Sequence, residues 1–219
     1  MADTRRRVRE RKRLRSRRIR AVLAGGLVFG VGATVTLAAW NDSEYASSTF
    51  TAGRFDIVGA TDGATFSNHA TTGTAAALSF AVAPTAMVPG TTTYALFSVR
   101  TATPSAAGTL QLTAGTPGGT GLATYLTYGV RLVPTAATPS QSCTAATYAA
   151  ASGASSVIVA DGSALTVGGA ATTSVPQVVT ANGGNQLNYC VAVTLPTTAV
   201  NAAQGLTMTQ TWQIQGTSS

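Results

Sequence analysis

His69 is the chain's one histidine, and that narrows the chemistry open to it. A zinc site of the H-E-x-x-H type needs two histidines one helical turn apart, and no helix with that pattern is visible. A serine triad would need His69, an acid and a nucleophile elbow, and no elbow pattern accompanies it. Asp56, Asp62 and Asp161 are scattered and build no D-x-D-x-D-G calcium loop. Asp62 and Asp161 each precede glycine and read as turn residues, while Asp56 falls in a strand-like run. His69 stands in the polar run Ser67-Asn68-His69-Ala70 and is expected to be solvated. Paired carboxylates for glycoside hydrolysis are the one catalytic pattern that spacing alone leaves open. The expectation is a protein with no catalytic residues, no metal and no cofactor.

The two cysteines, Cys143 and Cys190, are the other reactive pair. An even count outside the cell would favour a disulfide. It would close a loop of roughly 48 residues, worth about 4 kcal/mol in the chain-entropy account. Cys190 alternates with Tyr189 and Val191 and should point away from their apolar face. The bond would then staple the alanine-rich stretch Ser142–Ser152, a short surface helix, to the outside of a sheet. A reactive thiol would need a base or cation beside it, and none stands near in sequence.

The charge of +7 is an uneven total. Eleven of the fourteen lysines and arginines lie between Arg5 and Arg20. Beyond Trp40 only Arg54, Arg100 and Arg131 remain, against Asp42, Glu44, Asp56, Asp62 and Asp161, a formal charge of −2. That part has no basic face for phosphates, so no nucleic-acid partner is expected. Lys12 is the only lysine, which excludes Schiff-base, P-loop and isopeptide chemistry from the rest of the chain.

The basic block leads into Ala21–Ala39, apolar and free of charge. A cationic n-region (1–20), an apolar h-region (21–39) and small residues at the exit are the three parts of a signal peptide. The positive run stays cytoplasmic and orients the segment. A permanent anchor is the competing reading, because the stretch approaches the ~20 residues of a membrane span. No second cationic flank follows it. Ser16-Arg17-Arg18 hints at twin-arginine export, but Arg20 sits where that signal wants an apolar residue.

Thr36-Leu37-Ala38-Ala39-Trp40-Asn41-Asp42-Ser43-Glu44 is followed by Thr49-Phe50-Thr51-Ala52-Gly53-Arg54-Phe55-Asp56-Ile57. These residues resemble the start of the TasA/camelysin family, exported proteins with a specialised SipW-type signal peptide. The resemblance implies cleavage between Ala39 and Trp40 by a dedicated signal peptidase, with Leu37 at the −3 position. It also implies a jelly roll and assembly into extracellular fibres. Phe55 and Ile57 stand where the family usually has leucines. Asn201-Ala202-Ala203-Gln204-Gly205, ahead of a last aromatic strand, is similar to the family's closing turn. Between these ends the likeness is compositional.

The elements that would carry such a function are strands. Leu206, Met208, Trp212 and Ile214 alternate with Thr and Gln on one face of a strand. Leu187, Tyr189, Val191, Val193 and Leu195 do the same, as do Leu126, Tyr128, Val130 and Leu132. Tyr94–Arg100, Gly108–Ala114, Leu78–Val82, Val157–Val159 and Thr49–Val58 are further strands. Asp62-Gly63, Pro89-Gly90, Pro117-Gly118-Gly119, Asp161-Gly162 and Asn182-Gly183-Gly184 supply turns. The strands predict an all-β fold, a single β-sandwich over 49–219 behind a signal helix and a flexible tail (40–48), and the resemblance implies that it is a jelly roll.

Two functions fit. One is a secreted structural protein, the subunit of an extracellular or biofilm-matrix fibre that grows by β-strand pairing between copies of itself. Its strand donor would be Trp40, Asn41, Asp42, Tyr45, Phe50, Phe55 and Ile57, freed from the membrane by signal cleavage. The other is a monomeric cell-surface adhesin or carbohydrate-binding module, with Tyr125 or Tyr148 stacking on sugars. Leu195-Pro196-Thr197-Thr198-Ala199 carries alanine where a wall-sorting signal needs glycine, and reads as a strand end.

Overall fold

Alternating apolar and polar residues decide which backbone becomes sheet, because side chains on a strand point to opposite faces in turn. The computed structural model describes residues 3–34, 41–80, 87–135, 142–169 and 175–219. They fall into two units, Met1–Phe50 and Thr51–Ser219.

Among the described residues of the first unit there is one helix, α1 (Asp3–Thr34). Its second half presents Val22, Leu23, Leu27 and Val28 to the outside, each more than two-thirds exposed. Among the described residues no helix is long and apolar enough to cross a membrane. The rest of the expected h-region, with Ala39 and Trp40, lies outside the described residues. Residues 41–50 have no regular structure and are exposed throughout.

The second unit is all-β. Its strands are β1 (Ile57–Ala60), β2 (Thr92–Thr101), β3 (Gly108–Gly119), β4 (Thr127–Val133), β5 (Val157–Ala164), β6 (Val178–Val179), β7 (Gln186–Thr194) and β8 (Met208–Ser218). One helix, α2 (Ala145–Ala150), lies between β4 and β5. Five strands form one sheet in the order β1-β2-β7-β4-β5, and three form another in the order β6-β3-β8. Every pairing is antiparallel. The main core lies between the sheets. Val99, Tyr128, Val130, Val159, Tyr189, Val191 and Val193 face Leu110, Leu112 and Val179, with Trp212 and Ile214 partly covered. The chain is therefore an all-β sandwich.

Four local expectations are corrected. The Thr49–Val58 strand is confined to its end. Residues 54–56 bond to the 102–106 loop instead: Ala102 N–H donates to Asp56 O (2.9 Å) and Ala106 N–H to Arg54 O (2.8 Å). Pro117-Gly118-Gly119 is strand, not turn, and pairs with Gln210, Thr209 and Met208. Proline is tolerated there because β6 covers β3 only at Gly108 and Thr109, so Pro117 sits on an edge stretch. Asp161-Gly162 lies inside β5, where the register against β4 shifts between Tyr128 and Val130. Gly162 adopts φ +82° within that bulge. Of the expected Leu78–Val82 strand, residues 78–80 have no strand assignment, and 81 and 82 lie outside the described residues.

The turns at Asp62 and Asn182 form as read. Asp62 Oδ1 accepts from the N–H groups of Ala64 (2.9 Å) and Thr65 (2.7 Å). Hydrogen bonds from Thr65, side chain first, hold that carboxyl down at about 2.

Candidate functional site

A sandwich has four sheet edges, and each must be paired, covered or made unattractive to other strands. β1 is only four residues long and is bridged by Ser67, which exchanges two 2.9 Å backbone bonds with Gly59. β5 is kinked by its bulge and carries Asp161. β6 has two residues.

β8 has none of these protections. It runs for eleven residues, Met208-Thr-Gln-Thr-Trp-Gln-Ile-Gln-Gly-Thr-Ser218, with no charge and no proline. It pairs with β3, and among the described residues no strand pairs with its other side. Its row of inner side chains is only half covered. No residue of β8 is fully buried, whereas six of the nine in β7 are. Trp212 Nε1 and Gln210 Oε1 are shielded from solvent yet have no hydrogen-bond partner. Buried polar groups are nearly always paired, so these two are exceptions within the fold. Among the described residues five strands face three, and the smaller sheet ends at β8.

The residues expected to donate a strand divide into two groups. Asn41, Asp42, Tyr45 and Phe50 are exposed, Tyr45 at 95% and Phe50 at 91%. Phe55 and Ile57 instead pack against the main core of their own domain. Phe55 enters beside Gly108 and Gly216, where a β-carbon would come within 2.6 Å of its ring. Ala39 and Trp40 lie outside the described residues.

The cysteines form the expected disulfide, with Cα atoms 5.2 Å apart. Cys190 turns away from the sandwich interior, and the bond holds α2 on the outer face of the five-stranded sheet. A second small core forms there from Leu96, Val133, Tyr148, Ala151, Ala192 and the two cysteines. Thr144 caps α2, its hydroxyl accepting from Thr147 N–H at 3.2 Å.

Sequence reasoning missed the cluster beside this disulfide. Arg131 lies opposite Cys190 in the β4–β7 register. Its guanidinium stacks 4.2 Å from the Tyr148 ring, donates to Tyr148 O (2.9 Å) and pairs with Asp161 Oδ2 (2.6 Å). The Tyr148 hydroxyl donates to Asp161 Oδ1. Gly129 lies beneath, because any β-carbon there would collide with both Asp161 and the Tyr148 hydroxyl. The available signal was alternation: Tyr128 and Val130 face inward, so Arg131 must share the outer face with Cys190.

Two further expectations change. Tyr148 is buried at 6% exposure, and Tyr125 packs against the main core, so neither offers a free ring to a sugar. His69 is half-buried against Phe97 rather than solvated (centroids 6.3 Å apart). Its Nε2 lies 3.1 Å from Ser67 Oγ, and its Nδ1 is buried without a partner. The arginines of this unit are engaged at home: Arg54 with Asp56 (3.0 Å), Arg100 over Phe66 (3.9 Å) and Arg131 in its cluster. Among the described residues no three His, Cys, Asp or Glu side chains gather as a metal site.

No protein-family model and no curated protein matches this chain. The assignment of function therefore rests on the geometry of the β8 edge, the exposed 41–50 segment and the resemblance in the sequence.

Proposed function

We propose that this chain is an exported structural protein of the TasA/camelysin type, the subunit of an extracellular fibre that grows by strand pairing between copies. The observation that carries the reading is the unprotected β8 edge. Main-chain hydrogen bonds to an added strand would satisfy its outward row, and alternate apolar side chains would cover its half-exposed inner face. The 41–50 segment is the donor: it has no regular structure, is exposed and carries Tyr45 and Phe50 as anchors. Phe55 and Ile57 root it in the parent domain. The repeated passage of the chain from one antiparallel sheet to the other supports a jelly roll.

α1 supports export. Its arginine-rich start and exposed apolar second half suit a signal segment engaging a membrane. Cleavage between Ala39 and Trp40 would free the donor, so polymer forms outside the cell.

The test is negative-stain electron microscopy of the oxidised chain from Trp40 to Ser219 beside one shortened to Ser48–Ser219. Filaments from the first and none from the second support strand donation from Trp40–Ser47. Filaments from both keep the fibre and move the contact. Monodisperse particles from both, across concentration and pH, overturn the reading.

A further inference from the structure

Between Thr51 and Ser219 stand three arginines, Arg54, Arg100 and Arg131, and three aspartates, Asp56, Asp62 and Asp161. Two ion pairs form among them, Arg54 with Asp56 (3.0 Å) and Arg131 with Asp161 (2.6 Å). Asp62 is turned to the N–H groups of Ala64 and Thr65. Arg100 has no carboxylate partner among the described residues, yet it is held in place. Its guanidinium carbon lies 3.9 Å from the centre of the Phe66 ring. Its stem passes Gly183, where an added β-carbon would stand 3.7 Å from Cδ. Phe66 is fixed in turn, because the next residue, Ser67, exchanges two 2.9 Å backbone bonds with Gly59. The stack sets the plane of the guanidinium without using its N–H donors. A planar arginine with free donors suits a carboxylate, which it can grip with two parallel bonds.

The carboxylates that lack a cation are in the 41–50 segment. Asp42 and Glu44 are exposed, and neither forms an ion pair among the described residues. Asp42 Oδ1 accepts from the N–H of its neighbour Ser43 (2.9 Å). Standing two residues apart, the two acids point to the same side once the segment is extended. Position agrees with charge. Ile57 pairs with Thr101, the residue after Arg100. Phe55, two residues before Ile57, lies beside Gly216 of β8. Arg100 and the last residues of β8 therefore share one end of the sandwich. A strand added antiparallel to β8 begins where β8 finishes, so its first residues arrive at the end that carries Arg100.

We infer that Arg100, stacked on Phe66, receives the acidic head of another copy's 41–50 segment, its guanidinium pairing with Asp42 or Glu44. This rests on the reading of that segment as a strand donor to β8, and it adds the direction: the donor lies antiparallel to β8. The guanidinium is partly exposed, so the pair governs the rate and register of docking more than the strength of the joint.

The test measures binding of a labelled peptide of residues 40–53 to the Ser48–Ser219 chain, beside filament growth of the Trp40–Ser219 chain. Arg100→Glu should weaken peptide binding by about three- to tenfold at low salt. A peptide carrying Asp42→Arg and Glu44→Arg should restore binding to the Arg100→Glu chain, and filament growth should follow the same pattern. Arg100→Gln removes the charge without reversing it, and its melting curve separates lost pairing from lost fold. Peptide binding and filament growth that are indifferent to both replacements overturn the Arg100 contact and leave the fibre standing. Equal binding of a scrambled peptide of the same charge makes Arg100 a general anion site and overturns its pairing with the donor. Peptide binding that depends on Arg100, with no filaments from any chain, keeps the contact and overturns the fibre.

Discussion

Phe55 fills the space that Gly216 leaves on the inner face of β8, its ring 2.6 Å from where a β-carbon would stand. The contact ties the start of the domain to its last strand. It also divides the N-terminal segment into a part used at home and a part left free. Phe55→Ala should lower stability by about 2 kcal/mol, below the 3–5 of a fully buried phenylalanine because Phe55 is half-covered. Gly216→Ala should cost roughly 1–3 kcal/mol through overpacking. Denaturant unfolding of the monomer measures both. No loss from Phe55→Ala would mean the residue is free to leave with the donor.

The Cys143–Cys190 bond joins residues 47 apart. Replacing both cysteines by serine should lower stability by about 4 kcal/mol if closing the loop is its main effect. Because Cys190 is fully buried and Cys143 nearly so, reductant should reach the bond only after local opening. Thiol trapping with and without denaturant checks this: rapid reduction in native buffer would contradict the buried setting.

Gly129 is the floor beneath Arg131, Tyr148 and Asp161. Gly129→Ala should displace the Tyr148 hydroxyl from Asp161 and cost about 1–3 kcal/mol. Limited proteolysis should then cut near α2 first, since six helical residues cannot hold their shape without packing. Cleavage elsewhere, with α2 still protected, would show that the disulfide alone holds the helix.

Burial raises the Tyr128 hydroxyl to about 12 and pushes Tyr148 and Tyr189 upward too, with Asp161 adding to the effect at Tyr148. A raised folded-state value means that the stabilisation is whole below the ordinary tyrosine value near 10. It is lost as pH climbs from about 10 through 12 and above. Thermal melts should therefore fall steeply above pH 10. Absorbance at 295 nm should show these tyrosines ionising only with unfolding. Full ionisation of all six tyrosines in a folded chain at pH 10.5 would contradict their burial.

Much of the sandwich could be read from the residues. Leu187, Tyr189, Val191 and Val193 alternate so regularly that β7 and its inner face follow directly, and Cys190 then has to point outward. That is why the disulfide and the helix it staples were legible. The burial of Tyr148 was not. Its neighbours in sequence are alanines and threonines, and its partners, Arg131 and Asp161, arrive from β4 and β5. Pro117 and Asp161-Gly162 misled for a related reason: turn residues also serve on sheet edges and in bulges, and only the neighbouring strand shows which.

The sequence by itself determined the split between a basic, apolar leader and a nearly neutral β-rich remainder. It also determined which residues of β4, β7 and β8 face inward, since these properties depend on composition and on a period of two. Only the tertiary structure decided that, among the described residues, five strands face three and no second strand pairs with β8. Which edges are covered depends on strand order, and strand order is set by contacts between residues far apart in the chain, which no local pattern records.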